Sequence, residues 1–121
     1  MNTNNKQILV VSPEPDFAKK VSDGLSAAGV RVVSVLGISE AADWLKKGRA
    51  DLIIIECPSE INPKVVSQFL LQPTLSGGPT FLVAKEKRSL DAFNGDNLFK
   101  FGMDEIILLR EELLRRVGGA R

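Results

Sequence analysis

The chain has 121 residues, a formal net charge of +1, 44% apolar and 26% charged residues, one cysteine and no histidine. That size and balance suit one globular domain and argue against a disordered chain. The near-neutral charge excludes a general pull toward nucleic acid or anionic membrane, and the missing histidine excludes every triad or metal site that needs imidazole.

Cys57 stands alone, so no internal disulfide forms and a reducing compartment is expected. The opening MNTNNKQ lacks the apolar region of a signal peptide. No apolar run approaches the roughly 20 residues that span a bilayer. A soluble cytoplasmic protein with no membrane contact is the expectation.

Five apolar runs punctuate the chain: ILVV (Ile8–Val11), VRVVSV (Val30–Val35), LIII (Leu52–Ile55), TFLVA (Thr80–Ala84) and EIILL (Glu105–Leu109). Most are β-branched and nearly continuous rather than alternating, the pattern of strands covered on both faces in a parallel sheet. Helical segments are predicted between them. After the first strand, Phe17, Val21 and Leu25 recur every four residues, with Pro15 near the start and Gly29 at the end. After the second, Ser39 is a candidate cap for a helix carrying Ala42, Trp44 and Leu45 and closed by Gly48. After the third, Asn62-Pro63 opens a helix with Val65, Val66, Phe69 and Leu70. After the fourth, Ser89 to Phe99 is helical but interrupted by Gly95. Glu111 to Val117 makes a short terminal helix.

Strand and helix alternate five times, which predicts a single doubly wound α/β domain with helices on both faces of a parallel sheet. Its core spans residues 6–117, and residues 118–121 read as a flexible tail or the start of a linker. Sites in such sheets form outside the carboxyl ends of the strands, where the strand order reverses. The residues to examine are therefore Ser12-Pro13-Glu14, Gly37, Glu56-Cys57, Ala84-Lys85 and Leu109-Arg110.

With those residues in view, the chain resembles the receiver domain of two-component response regulators, the CheY-like variant of the flavodoxin-like fold. ILVVSPEPDF is similar to the family's ILVVDDEPDF, and ADLIIIE to PDLILLD. GGPTFLVAK resembles the segment ending in Thr-Ala or Ser-Ala, and FGMDEIILL resembles GADDYLxK. The resemblance covers nearly the whole chain and implies five parallel strands in the order 2-1-3-4-5. It also implies five chemical positions: two metal-holding acids after the first strand, a phosphoacceptor aspartate ending the third, a hydroxyl after the fourth and a lysine after the fifth. In that chemistry the metal and the lysine neutralise charge developing on the transferred phosphoryl group.

Carried over one at a time, the metal-binding acids fall on Ser12 and Pro13, the acceptor on Glu56, the hydroxyl on Ala84 and the lysine on Leu109. A proline that usually stands four residues beyond the acceptor is replaced by Glu60, with Pro58 the nearest. All five chemical positions depart from the pattern. The resemblance therefore implies a pseudo-receiver, neither an enzyme nor the holder of a metal or cofactor. Its work in a bacterial two-component-type pathway would be phosphorylation-independent. It would act through a protein partner or self-association, on the face of the fourth helix, fifth strand and fifth helix. The alternative is an active receiver that accepts a phosphoryl group on Glu56 in a rearranged pocket.

Blander roles compete for each residue. Glu56 serves as a partly solvated loop acid, as a mimic of a phosphorylated aspartate, or as an acceptor. Glu14 and Asp16 favour a helix N-terminus. Cys57 is a small packed residue beside the pocket, and Trp44 packs on the second helix. Lys85, Lys87, Arg88, Arg110 and Arg115 make a candidate basic partner face, or simply a solvated one. Nucleic-acid binding is not expected, since no aromatic residue interleaves the basic ones. A nucleotide or flavin binder would need a glycine-rich phosphate cradle after the first strand, where Ser12-Pro13-Glu14-Pro15 offers two residues without N–H.

Overall fold

A computed structural model describes residues 7–22, 30–48, 50–57, 80–91, 93 and 98–117. Five strands, β1 (Gln7–Val11), β2 (Arg31–Val35), β3 (Leu52–Cys57), β4 (Thr80–Ala84) and β5 (Leu98–Gly102), form one sheet in the order β2-β1-β3-β4-β5. Every neighbouring pair is parallel. Among the described residues three α-helices accompany them: α1 (Pro15–Ser22), α2 (Ile38–Lys47) and α3 (Ile106–Val117).

The continuous apolar runs explain the layering. Successive strand residues point to opposite faces, so a strand such as LIIIEC feeds two cores. Leu9, Val11, Ile53, Ile55, Cys57, Leu82 and Ala84 join Ala41 and Leu45 of α2 on one face. Ile8, Val10, Leu52, Ile54, Phe81 and Val83 join Phe17 and Val21 of α1 and Leu109 and Leu113 of α3 on the other. Each large aliphatic so buried contributes on the order of 2 kcal/mol. The chain moves from β1 out to β2 and then back across β1 to β3. Right-handed crossovers in opposite directions place α1 and α2 on opposite faces. In such sheets the reversal marks the carboxyl ends of β1 and β3 as the place where sites form.

Four predicted strands lie where the apolar runs put them, with no end shifted by more than two residues, and β3 extends through Glu56 to Cys57. The fifth does not. EIILL is a short 3₁₀ turn (Met103–Glu105) followed by the first residues of α3. A short apolar run suits a strand or a helix equally, and exposure decides between them. Leu109 and Leu113 are fully buried, while Ile107 and Leu108 are 65% and 54% exposed. That is helical spacing with one face outward.

The true β5, LFKFG, was expected to end a helix. Its Phe99 and Phe101 stack on Phe81 of β4, with ring centroids 5.2 and 5.7 Å apart, which pins the edge strand through offset aromatic contact. Within the span Ser89–Phe99 expected to be helical, the described residues form the end of a 3₁₀ turn (Lys87–Leu90) and the start of β5.

Ser39 is not the cap of α2. Gly37 occupies that position without a side-chain cap, and Ser39 lies within the first turn. Gly48 does close α2, donating its N–H to the Trp44 carbonyl at 2.8 Å. Trp44 is partly buried against the α2-side core, as packing predicts. The helix expected from Asn62, together with Leu25, Gly29, Pro58, Glu60, Gly95 and residues 118–121, lies outside the described residues.

Candidate functional site

Register builds the site. Residues of β1 pair with residues of β3 that are 44 positions later, from Ile8 with Leu52 to Val11 with Ile55. Both ends of this ladder continue the same offset in side chains. At the amino end, the Gln7 N–H donates to Asp51 Oδ2 at 2.9 Å, and the Asp51 N–H donates to the Gln7 carbonyl at 2.9 Å. At the carboxyl end the next pair is Ser12 and Glu56, and the Ser12 hydroxyl donates to Glu56 Oε1.

Ser12 is held for this role. Its N–H donates to the Val35 carbonyl of β2 at 3.0 Å, and its hydroxyl oxygen accepts the Glu14 N–H at 3.0 Å. The Glu14 carbonyl also lies 3.1 Å from the hydroxyl. A serine has one proton to give, and the charged carboxylate is the stronger acceptor. Ser12 is 4% exposed and Glu56 partly buried, so the pair bridges the carboxyl ends of β1 and β3.

The remaining expected positions divide. Pro13 is exposed beside Ser12 and supplies no ligand. Ala84 is 1% exposed and lies at the end of β4, opposite Cys57 of β3. Leu109 is not at a strand end. It is fully buried under α3, so it cannot stand for the lysine. The end of β5 is Gly102, in register with Ala84, and it has no side chain either. Around it, Glu105 accepts the Gly102 N–H at 2.9 Å and pairs with Lys87 Nζ at 3.5 Å. The backbone hydrogen bond first, and Lys87 after it, hold the Glu105 carboxyl below its ordinary range. Sequence reasoning passed over Gly102 and Glu105. The alternation Phe99-Lys100-Phe101 and a glutamate three residues after a glycine were the available signals.

Cys57 is buried, and desolvation, helped by the Glu56 charge, pushes its thiol up to about 12. It is a packed thiol rather than a nucleophile. The donor set does not suit a hard divalent cation. The Ser12 hydroxyl is committed to Glu56, Glu14 and Asp16 are exposed, and no group of three or more metal-capable side chains gathers among the described residues.

The basic face is more mixed than the sequence suggests. Lys87 pairs with Glu105, Arg88 with Glu86 at 3.8 Å, and Arg115 with Glu112. Lys85 is exposed and Arg110 partly buried. No helix among the described residues is long and apolar enough to cross a membrane.

No protein-family model and no curated protein matches the sequence. Solved structures do match it. The signal receiver domain of a signal transduction histidine kinase from Syntrophus aciditrophicus has a TM-score of 0.71 at 24% identity, covering 96% of this chain and 92% of that one. A CheY-like response regulator receiver domain from Methylobacillus flagellatus has a TM-score of 0.65 at 18% identity, covering 93% and 98%. A de novo designed Rossmann 2x3 protein reaches 0.70 at 16% identity, covering 98% and 95%. A designed sequence fits as well as the natural receivers, so the likeness is one of fold. The chain has the CheY-like, flavodoxin-like receiver fold.

Proposed function

We propose that this domain is a pseudo-receiver, a cytoplasmic, non-enzymatic signalling module of a bacterial two-component-type pathway that works without phosphorylation. The observation that carries the proposal is the hydrogen bond from Ser12 to Glu56. In a phosphotransfer site the first-strand position supplies an acid that needs a metal, and the metal in turn neutralises the incoming phosphate. Here that position supplies a neutral donor already spent on the carboxylate. Glu56 is also one methylene longer than aspartate, which displaces the carboxylate by roughly an ångström from in-line geometry. Ala84 and Gly102 have neither hydroxyl nor charge with which to sense a phosphate.

Such a module acts through protein contacts. The favoured partner surface is the β5–α3 side of the domain, where Ile107 and Leu108 are exposed beside the paired charges of Glu112 and Arg115. Backbone amide NMR with Mg²⁺ and then beryllofluoride tests the proposal. Resonances of Ser12, Glu56 and Ala84 should stay in place at millimolar additions. Saturable shifts there, or a mass gain of one phosphoryl group with a small-molecule phosphodonor, would establish Glu56 as an acceptor instead.

A further inference from the structure

The two edges of the sheet are not alike. Exposed edges invite pairing with other strands, and proteins blunt them with charge, proline or bulges. The β5 edge carries Lys100 at its centre and ends in Gly102. The β2 edge, RVVSV, has one charge at its first residue, no proline, and runs into Leu36, which is 63% exposed.

We propose that β2 is a self-association strand, pairing antiparallel with β2 of a second copy across a two-fold axis so that two five-stranded sheets become one. The inference rests on the fold and is independent of the phosphorylation-independent reading of the pocket.

Backbone geometry sets the register. The Val35 carbonyl accepts the Ser12 N–H, so the backbone groups of Val35, and by alternation those of Val33 and Arg31, face β1. Those of Val32 and Ser34, and by continuation those of Leu36 just past the strand's end, face outward, and no described residue pairs with them. An antiparallel pair using them can centre on Ser34 opposite Ser34 of the second copy, with Val32 opposite Leu36. Arg31 then lies opposite Gly37 of the other chain.

That alignment is complementary in charge. A Cβ on Gly37 would stand 3.2 Å from Glu40 Oε1, so the Glu40 carboxylate lies directly over Gly37. Arg31 and Glu40 are both exposed, and no ion pair joins either one to another described residue. A two-fold axis perpendicular to the sheet keeps matching faces together. Arg31 projects to the α2 side, by its alternation with Val33 and Val35, which pack on that core. Glu40 lies on α2 itself. Each copy therefore offers Arg31 to Glu40 of the other, twice by symmetry. Leu36 is covered by Val32, and the two Ser34 hydroxyls meet at the centre.

Sedimentation equilibrium of the whole chain, with three variants, tests the proposal. The wild type should associate to twice its 13.2 kDa mass. Ser34→Pro removes an N–H that the sheet does not use, at an edge position that tolerates proline, and should leave the far-UV spectrum intact while abolishing the dimer. Arg31→Glu should weaken dimerisation about tenfold or more by turning two attractive rim pairs repulsive. The double swap Arg31→Glu with Glu40→Arg should restore it. If Ser34→Pro fails to fold, the charge swap carries the test. A wild type that stays at chain mass up to about millimolar concentration would overturn the proposal. So would a dimer indifferent to Arg31→Glu, because that dimer would use another surface.

Discussion

Replacing Ser12 with aspartate puts back the acid that a phosphotransfer site would carry and removes the donor that Glu56 uses. Two effects then add. The lost charge-assisted hydrogen bond costs about 1.5–3 kcal/mol, toward the lower end because Glu56 is only partly buried. Two carboxylates about 4 Å apart at an effective dielectric constant near 20 repel by about 4 kcal/mol. Ser12→Ala pays the first cost alone. Ser12→Asp should therefore be less stable than Ser12→Ala by a few kcal/mol at pH 7, measured by urea unfolding with m unchanged.

The sign with pH follows from linkage. The folded aspartate variant holds a proton between the two carboxyls that its unfolded chain releases. Its deficit is therefore absent below about pH 4, where unfolded carboxyls are protonated, and develops as pH rises above that. In a Glu56→Gln background the extra cost of aspartate should vanish, since one charge of the pair is gone. If Ser12→Asp matches Ser12→Ala at pH 7, the two side chains are not in direct contact in solution. The bridging of the two strand ends by this pair would then be refuted.

Two further outcomes follow from buried groups. The Cys57 thiol is raised from 9.0 to about 12 by burial and by Glu56, so the unfolded chain gives up its proton first. The stability that wild type holds over Cys57→Ala should be constant below pH 8 and shrink above pH 9 by about 1.4 kcal/mol per pH unit, as read from paired denaturant curves; a difference that stays flat to pH 11 would place the thiol in contact with solvent. Gly48 is overlaid by the Trp44 ring, which a Cβ would meet at 3.0–3.2 Å. Gly48→Ala should displace the indole, shift its fluorescence to the red and cost on the order of 1 kcal/mol, whereas an unshifted spectrum would mean that the ring does not cover Gly48.

Much of this was legible in the residues. Nearly continuous β-branched runs marked four of the five strands, because a strand buried on both faces has no polar side to interrupt it. The apolar residues of α1 and α2 recur at helical spacing and face the core as that spacing requires. The fifth strand was misassigned because EIILL carries no information about which of its side chains meets water. The tertiary structure turns Ile107 and Leu108 outward and makes Lys100 the middle of the real edge strand. With that shift the last strand ends at Gly102, while Leu109 is buried in α3.

The residue types on which the proposed loss of phosphotransfer rests, Ser12, Pro13, Glu56 and Ala84, are visible in the sequence itself. What Ser12 and Glu56 do for one another is not. They are 44 positions apart, and only the parallel register of β1 on β3 makes them neighbours. Composition and periodicity report on local structure, because they reflect how each segment meets water. Partnership between distant side chains is decided by how the strands align, and that alignment exists only in the folded sheet.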